Sequence, residues 1–245
     1  MTDEKKQEES DRLHELFRRE DELHDQGIEY VGGIDEAGRG PLAGPVVAAC
    51  VILPKDDYLT YLNDSKKLSE KRREALFPEI IKSAVSVGVG LADQKEIDEV
   101  NILNADYIAM RRAIASMKIR PQYVINDAVI IPDLAIPQEP VIKGDAKIAC
   151  ISAASVIAKV TRDHIMREYD KFSPEYLFAK HKGYPTKAHY EVLEKYGVLP
   201  IYRRTFLTKR IEAGTLSVKE NDVNLPDPFD LADDFLKEYG LTVVR

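Results

Sequence analysis

The segment Gly32-Gly33-Ile34-Asp35-Glu36-Ala37-Gly38-Arg39-Gly40-Pro41-Leu42-Ala43-Gly44 decides the fold of this chain. It takes in the end of an apolar stretch, Ile28 to Glu36, that reads as a strand, and it leads into Val46 to Leu53, an apolar run that reads as a second. Five of the chain's 13 glycines lie in these thirteen residues, so the turn can be tight and the two strands are expected to pair as a hairpin. Two adjacent carboxylates close an otherwise apolar strand. Burying Asp35 there is costly unless a cation or hydrogen bonds compensate. Hard divalent metals prefer such oxygen ligands. Successive strand side chains face opposite ways, so Asp35 and Glu36 serve one site only if the strand bends at Glu36. From this segment alone, a turn with two solvated acids remains an equal reading. A phosphate-cradling loop fits less well: Arg39-Gly40 stands where a Lys-Ser/Thr pair is needed, and two acids repel phosphate.

Working outward, residues 3–25 are charged, with Leu13, Leu16, Phe17 and Leu23 at helical spacing, and read as a helix separate from the core. Ser69 caps a helix running to about Ser83, with Glu70 at its positive dipole end. Ala84 to Leu91 reads as a strand, Ile102 to Ser116 as a helix, Tyr123 to Ile125 as a short strand ending at Asn126-Asp127, and Val141-Ile142 as another. Ile151 to Tyr169 is a long helix whose first half is nearly all small or apolar, as in a helix buried on several sides. Two or three shorter helices fill 173–215, and Leu231 to Tyr239 forms a last one after Pro226 and Pro228. The pattern predicts an α/β fold with a mixed central sheet flanked by helices and a helical C-terminal part. The expected division is a charged N-terminal extension over 1–27, a catalytic domain over 28–215 and an acidic tail over 216–245.

The chain has 245 residues, 44% of them hydrophobic, which suits an ordinary globular protein and excludes disorder over most of its length. The longest apolar run has eight residues, Val46 to Leu53, too few to span a bilayer. The acidic N-terminal residues do not resemble a signal or transit peptide, so the expected compartment is the cytoplasm. Cys50 and Cys150 are too few for a disulfide scaffold or zinc site and read as buried thiols. The net charge of −7 argues against nucleic acid, yet its distribution reverses that reading. Residues 1–29 and 219–245 carry −6 and −4, whereas residues 159–210 carry +6 with 9 of the 19 aromatics. A basic, aromatic-rich stretch between acidic ends permits a polyanionic partner.

Two further acids stand at element boundaries. Asp127 follows a short strand, and Asp145 lies in Lys143-Gly144-Asp145-Ala146-Lys147, just before the long helix. Each alone reads as a turn or cap residue. Together with Asp35 and Glu36 they can converge over a sheet edge, where carboxylates can hold two Mg²⁺ ions for phosphoryl transfer.

At this point the chain resembles a known family, ribonuclease HII, the bacterial type 2 ribonuclease H. The likeness rests on Gly33 to Val46 and on four further segments in the family's order. These are Asn63-Asp64-Ser65-Lys66-Lys67-Leu68, Ile97-Asp98-Glu99-Val100-Asn101-Ile102-Leu103, Ser152 through Asp163, and His181-Lys182-Gly183-Tyr184-Pro185-Thr186. The resemblance spans roughly residues 28–210. It implies an RNase H-like fold, Mg²⁺ or Mn²⁺ as cofactor with two ions during catalysis, and endonucleolytic cutting of RNA in RNA–DNA hybrids. It also implies cutting 5′ of single ribonucleotides embedded in duplex DNA, leaving 3′-hydroxyl and 5′-phosphate ends. A monomer is expected, because no assembly seam appears in the sequence. By position, Asp35, Glu36, Asp127 and Asp145 resemble the family's four metal-holding carboxylates. Gly38, Arg39 and Gly40 resemble its loop that senses the ribose 2′-hydroxyl, and Tyr184 its tyrosine packed on the adjacent deoxyribose. Lys66, Lys147, Lys180 and Lys182 are candidates to meet phosphates, with a solvated surface as the plainer reading.

Two features depart from the resemblance or stand outside it. Asn126-Asp127-Ala128 stands where the family commonly has a Val-Asp-Gly type of sequence, which makes the backbone beside Asp127 less free. The ends, residues 1–27 and about 216–245, match no motif, and their acidity predicts that they point away from bound DNA. His164 and His189 read as surface or packing residues, His181 as a residue beside the substrate at most, and Asp163 as the helical ion-pair partner of Lys159. A hybrid-binding protein without catalysis, and a DDE-type nuclease on the same fold class, are the alternative functions.

Overall fold

The structure is a computed structural model describing residues 3–55, 62, 68–214, 216, 220–221 and 223–245. In chain order the elements are α1 (Asp3–Asp25), β1 (Val31–Ala37), β2 (Val46–Ile52), α2 (Glu70–Ser83), β3 (Ser86–Ala92), α3 (Gln94–Val100) and α4 (Ile102–Ser116). Then come β4 (Tyr123–Asp127), β5 (Gln138–Val141), α5 (Ala149–Phe172), α6 (Phe178–His181), α7 (Lys187–Tyr196), α8 (Arg204–Glu212), α9 (Pro228–Lys237) and β6 (Val243–Val244). Short 3₁₀ turns cover Gly144–Ala146 and Pro174–Tyr176.

The strands form one mixed sheet in the order β5-β4-β1-β2-β3-β6. The glycine-rich turn does join a hairpin: β1 and β2 are antiparallel, from Gly32 opposite Ile52 to Ala37 opposite Val47. The strands β4 and β5 lie parallel to β1 on its other side, so three carboxyl ends come out at one edge of the sheet. Such an edge is the usual place for a site in an open α/β sheet. The expected bend at Glu36 is absent, because pairing continues in register through Glu36 opposite Ala48 and beyond.

The two faces of the sheet are covered separately, as its alternation requires. One face, with Val31, Val47, Ala49 and Val51, packs under α5; the other, with Ile34, Ala48, Cys50 and Ile52, packs against α4. Helix α5 is buried along Ala149 to Ala158, as its small residues predict, and it crosses β1 at Gly33. A Cβ added at Gly33 would lie 2.2 Å from the carbonyl carbon of Cys150, so the helix backbone rests directly on the strand. Both cysteines are buried free thiols.

Both chain ends correct the sequence reading. Helix α1 is not separate: Leu16, Phe17 and Leu23 belong to the main core cluster. Its buried Glu20 accepts the backbone N–H of Cys150 at 2.7 Å and so caps the first turn of α5, which has no side-chain cap of its own. The stretch expected as an acidic tail contains α9, whose Phe229, Ala232 and Leu236 are buried, and β6, which pairs with β3. Only the acidic face of α9 resembles a tail. The last helix, expected over Leu231 to Tyr239, begins three residues earlier and spans Pro228–Lys237, and its apolar face packs into the core. Strand β5 also sits three residues earlier than expected and includes Pro140; as an edge strand it tolerates that missing donor.

Burial pushes the Glu20 carboxyl up to about 7, against the pull of the Cys150 N–H. A carboxyl raised on folding stabilises fully only below its unfolded pKa and loses that contribution as pH rises through its folded one. The Glu20→Gln variant keeps a carbonyl to accept from Cys150 and loses the titration. Between pH 5 and 8 the parental chain should lose roughly 3 kcal/mol relative to this variant, measured by urea unfolding at each pH. Parallel stability curves for the two proteins contradict the buried placement of Glu20.

Candidate active site

At the carboxyl ends of β1 and β4, Asp35, Asp127 and Asp145 each offer an oxygen within 4.8 Å of the others. They arrive by three routes. Asp35 projects from β1 toward α5, where the Ser155 hydroxyl hydrogen-bonds to it. Asp127 ends β4, and its Oδ1 accepts the Gly144 N–H at 2.7 Å. Asp145 sits buried in the 3₁₀ turn before α5, and its carbonyl accepts from the Ser152 hydroxyl. Burial and the neighbouring charges of Glu36 and Asp127 hold the Asp35 carboxyl well above the usual range.

Glu36 lies outside this triad. Strand alternation turns it to the α4 face, yet it still lines a cavity of about 230 Å³ together with Asp35 and Asp127. The cavity opens where the strands end, so a side chain on either face reaches it without a bend. Burial and the charge of Asp106 raise the Glu36 carboxyl to about 8, against the pull of Arg39 3.6 Å away, and Glu36 Oε2 has no hydrogen-bond partner. Asp106, which the sequence reading passed over, is fully buried on α4, 3.7 Å from Arg39. Burial raises it to about 7. Its signal was an acid among the apolar positions Ala105, Ala109, Met110 and Ala113 of one helix.

Gly38, Arg39, Gly40 and Tyr184 line the same cavity, joined by Arg73, Ser155 and Lys159. Gly38 has φ +104°, and a Cβ there would lie 2.1 Å from Arg162 Nε, so both conformation and space demand glycine. The Arg162 guanidinium is buried and donates to the carbonyls of Pro45, Lys182 and Ala43, tying the glycine loop to the segment carrying Tyr184. Arg203 is likewise buried and donates to the carbonyls of Gly38, Arg39 and Gly44.

The basic residues singled out from sequence fare differently. Lys66 lies outside the described residues. Lys147 is exposed but faces another cavity, of about 780 Å³, shared with Arg12, Arg18 and Arg19 of α1. Lys180 is exposed, whereas Lys182 is buried against Glu70 at 3.2 Å and the Ala179 carbonyl. Neither lines the carboxylate cavity; Arg73 and Lys159 do. Lys159 also forms the expected pair with Asp163, at 2.6 Å. His181 is buried, bonded to the Tyr176 carbonyl and the Gly183 N–H, and stacked on His189. It packs rather than faces the cavity. Among the described residues of 1–27 and 216–245, none lines the cavity.

Ala128 resolves the departure noted beside Asp127. It adopts φ +58°, the left-handed conformation that a glycine takes freely, and Asp127 keeps its place in the triad. The cost is conformational. Ala128→Gly should raise stability by about 1 kcal/mol and the melting temperature by roughly 2–4 °C, with cleavage unchanged. A lower melting temperature contradicts this conformation.

The model of the family described as Ribonuclease HII matches residues 32–209. This chain belongs to the ribonuclease HII family. Among its relatives, ribonuclease HII of Caldanaerobacter subterraneus is 54% identical over 198 residues, covering 81% of this chain and 82% of the relative. That of Clostridioides difficile is 54% identical over 199 residues, covering 81% and 78%. Among solved structures, ribonuclease H2 of Pyrococcus horikoshii is 34% identical with a TM-score of 0.63, covering 76% of this chain and 98% of that one. The mixed sheet flanked by helices is thus an RNase H-like fold, and the chain is a nuclease of the hydrolase class that cuts RNA–DNA hybrids. No helix among the described residues is long and apolar enough to cross a membrane.

Proposed function

We propose that this ribonuclease HII is a two-metal endonuclease that cuts hybrids and also the 5′ side of single ribonucleotides embedded in duplex DNA. The observation that carries the reading is the convergence of Asp35, Asp127 and Asp145 oxygens within 4.8 Å, with Glu36 on the same cavity. Such a set is costly in a buried place without cations, as the raised Asp35 and Glu36 carboxyls record. All its donors are hard carboxylate oxygens, and Glu36 Oε2 is buried without a partner, so the residues fit Mg²⁺ or Mn²⁺. Asp35, Glu36, Asp127 and Asp145 would hold the ions. When bound, two such cations supply activation of water and neutralisation of the leaving oxygen.

The chain's own residues supply position and specificity. The oxygen of water bonds to phosphorus as it gives up a proton, the bond from phosphorus to the 3′-oxygen breaks, and that oxygen takes up a proton, so the ends are 3′-hydroxyl and 5′-phosphate. Ser155 and the Gly144 N–H orient Asp35 and Asp127. Arg73 and Lys159 line the cavity where a phosphodiester would lie. The Gly38–Gly40 backbone approaches the ribose, whose 2′-hydroxyl tells RNA from DNA. Tyr184, partly exposed at the cavity rim, offers its ring to a sugar that lacks that hydroxyl.

The test uses a DNA duplex holding one ribonucleotide and a long hybrid, in Mg²⁺ and then Mn²⁺. The parental chain should nick the first duplex on the 5′ side of the ribonucleotide. Tyr184→Ala should slow that cut about tenfold and hybrid cutting about threefold or less. Equal losses on the two substrates contradict the sugar-packing role. Binding without a nick in either metal contradicts the proposed activity at embedded ribonucleotides.

A further inference from the structure

We propose that Arg203 is a positioning residue for ribose recognition: its buried guanidinium turns the backbone N–H groups of Arg39 and Gly40 into the cavity. The inference rests on the function proposed above and adds a residue that touches no substrate.

Arg203 is fully buried, and the acceptors its guanidinium meets are carbonyls. Its Nη2 donates to Gly38 at 2.6 Å and Gly44 at 2.8 Å, its Nη1 to Arg39 at 3.0 Å and its Nε to Gly44 at 3.0 Å. Its backbone N–H donates to the Leu42 carbonyl at 2.9 Å. One residue therefore grips the loop from Gly38 to Gly44 at four carbonyls. The guanidinium carbon lies over the Phe206 ring, 5.2 Å from its centroid.

The consequence follows from peptide geometry. In a planar trans peptide the C=O of one residue and the N–H of the next point in opposite directions, and every peptide bond described here is trans. Drawing the Gly38 and Arg39 carbonyls down to Arg203 therefore sends the Arg39 and Gly40 N–H groups the other way. Both residues line the carboxylate cavity, and neither N–H has a protein acceptor among the described residues. A cationic donor on each carbonyl also polarises the peptide and strengthens the opposite N–H as a donor. Only a planar fork reaches these carbonyls at once; a lysine ammonium is a point charge with a different reach. A buried charge whose hydrogen-bond acceptors among the described residues are all carbonyls is a costly device for bracing a turn that glycines already permit.

The test compares the full-length parental chain with Arg203→Lys in Mg²⁺. Single-turnover rates are measured on a duplex with one ribonucleotide and on the same duplex with one 2′-fluoro nucleotide, which keeps the sugar's size but accepts hydrogen bonds poorly. The ratio of the two rates is independent of the fraction of active protein. It should fall about tenfold in Arg203→Lys, the size expected for one misplaced donor pair. Hydrogen–deuterium exchange of residues 38–44 should be faster without substrate. If Arg203→Lys is not recovered folded, Arg203→Gln, which keeps a planar amide, takes its place. A parental ratio, parental exchange over 38–44, or failure of both variants to fold assigns Arg203 to structure alone and overturns the proposal. A parental chain that leaves the ribonucleotide duplex uncut refutes the proposed function itself, and the role of Arg203 falls with it.

Discussion

Asp35→Asn should slow hydrolysis of an RNA–DNA hybrid by at least about 10³-fold while the protein becomes more stable, not less. The two changes have one cause. Asp35 is buried beside Glu36 and Asp127, and its carboxyl is held above the usual range by that burial and those charges. At neutral pH its ionised form therefore costs folding energy. A group raised on folding gives up stability as pH rises, so a neutral amide regains it. The same charge is what a cation would need. Asparagine keeps the size and a carbonyl to accept from Ser155, but supplies no charge. Melting temperature, hybrid affinity in Ca²⁺ and single-turnover rate together test this. An unchanged rate removes Asp35 from the site, and a fall in melting temperature contradicts the electrostatic account of its surroundings.

Gly33→Ala should cost about 3–5 kcal/mol, roughly 10 °C in melting temperature, without any chemical group being lost. The new methyl would fall 2.2 Å from the Cys150 carbonyl carbon and 2.3 Å from the Ile151 nitrogen. Both are backbone atoms of a buried helix, so no rotamer change gives relief and α5 must lift from the sheet. The helix carries Ser155 and follows directly on the turn holding Asp145, so the triad should loosen too. Gly40→Ala is the control. A Cβ there meets only the Tyr184 ring, at 3.9 Å, so stability should stay within about 0.5 kcal/mol of the parental value. Equal melting temperatures for the two variants contradict the close crossing of α5 over β1.

Much of this site was legible because its chemistry is local in sequence. Asp35-Glu36 at a strand end, the glycines after it and the long small-residue helix each leave a pattern that propensity and spacing can read. Helix α4 over Ile102–Ser116 and the Ser69 cap of α2 were readable for the same reason. What was missed depends on partners distant in sequence. Residues 3–25 read as a helix separate from the core, yet Glu20 within them caps Cys150, 130 residues away. Arg203 counted as one basic residue of a positive stretch, yet it grips a loop 165 residues earlier. Asp106 went unmarked because nothing local reveals that α4 brings it within 3.7 Å of Arg39. Lys182 looked free for the opposite reason: its burial against Glu70 comes from the folding of α2 beside it.

The chain's own order of residues determined which groups are available, since strand and helix periods and the stiffness or freedom of each backbone position are properties of neighbours a few residues apart. Tertiary structure decided which of those groups share a space. Three carboxylates meet because parallel strands end at one edge. A buried arginine can aim an amide because side chains far apart along the chain are pressed together, and burial there sets both the cost of each charge and its use.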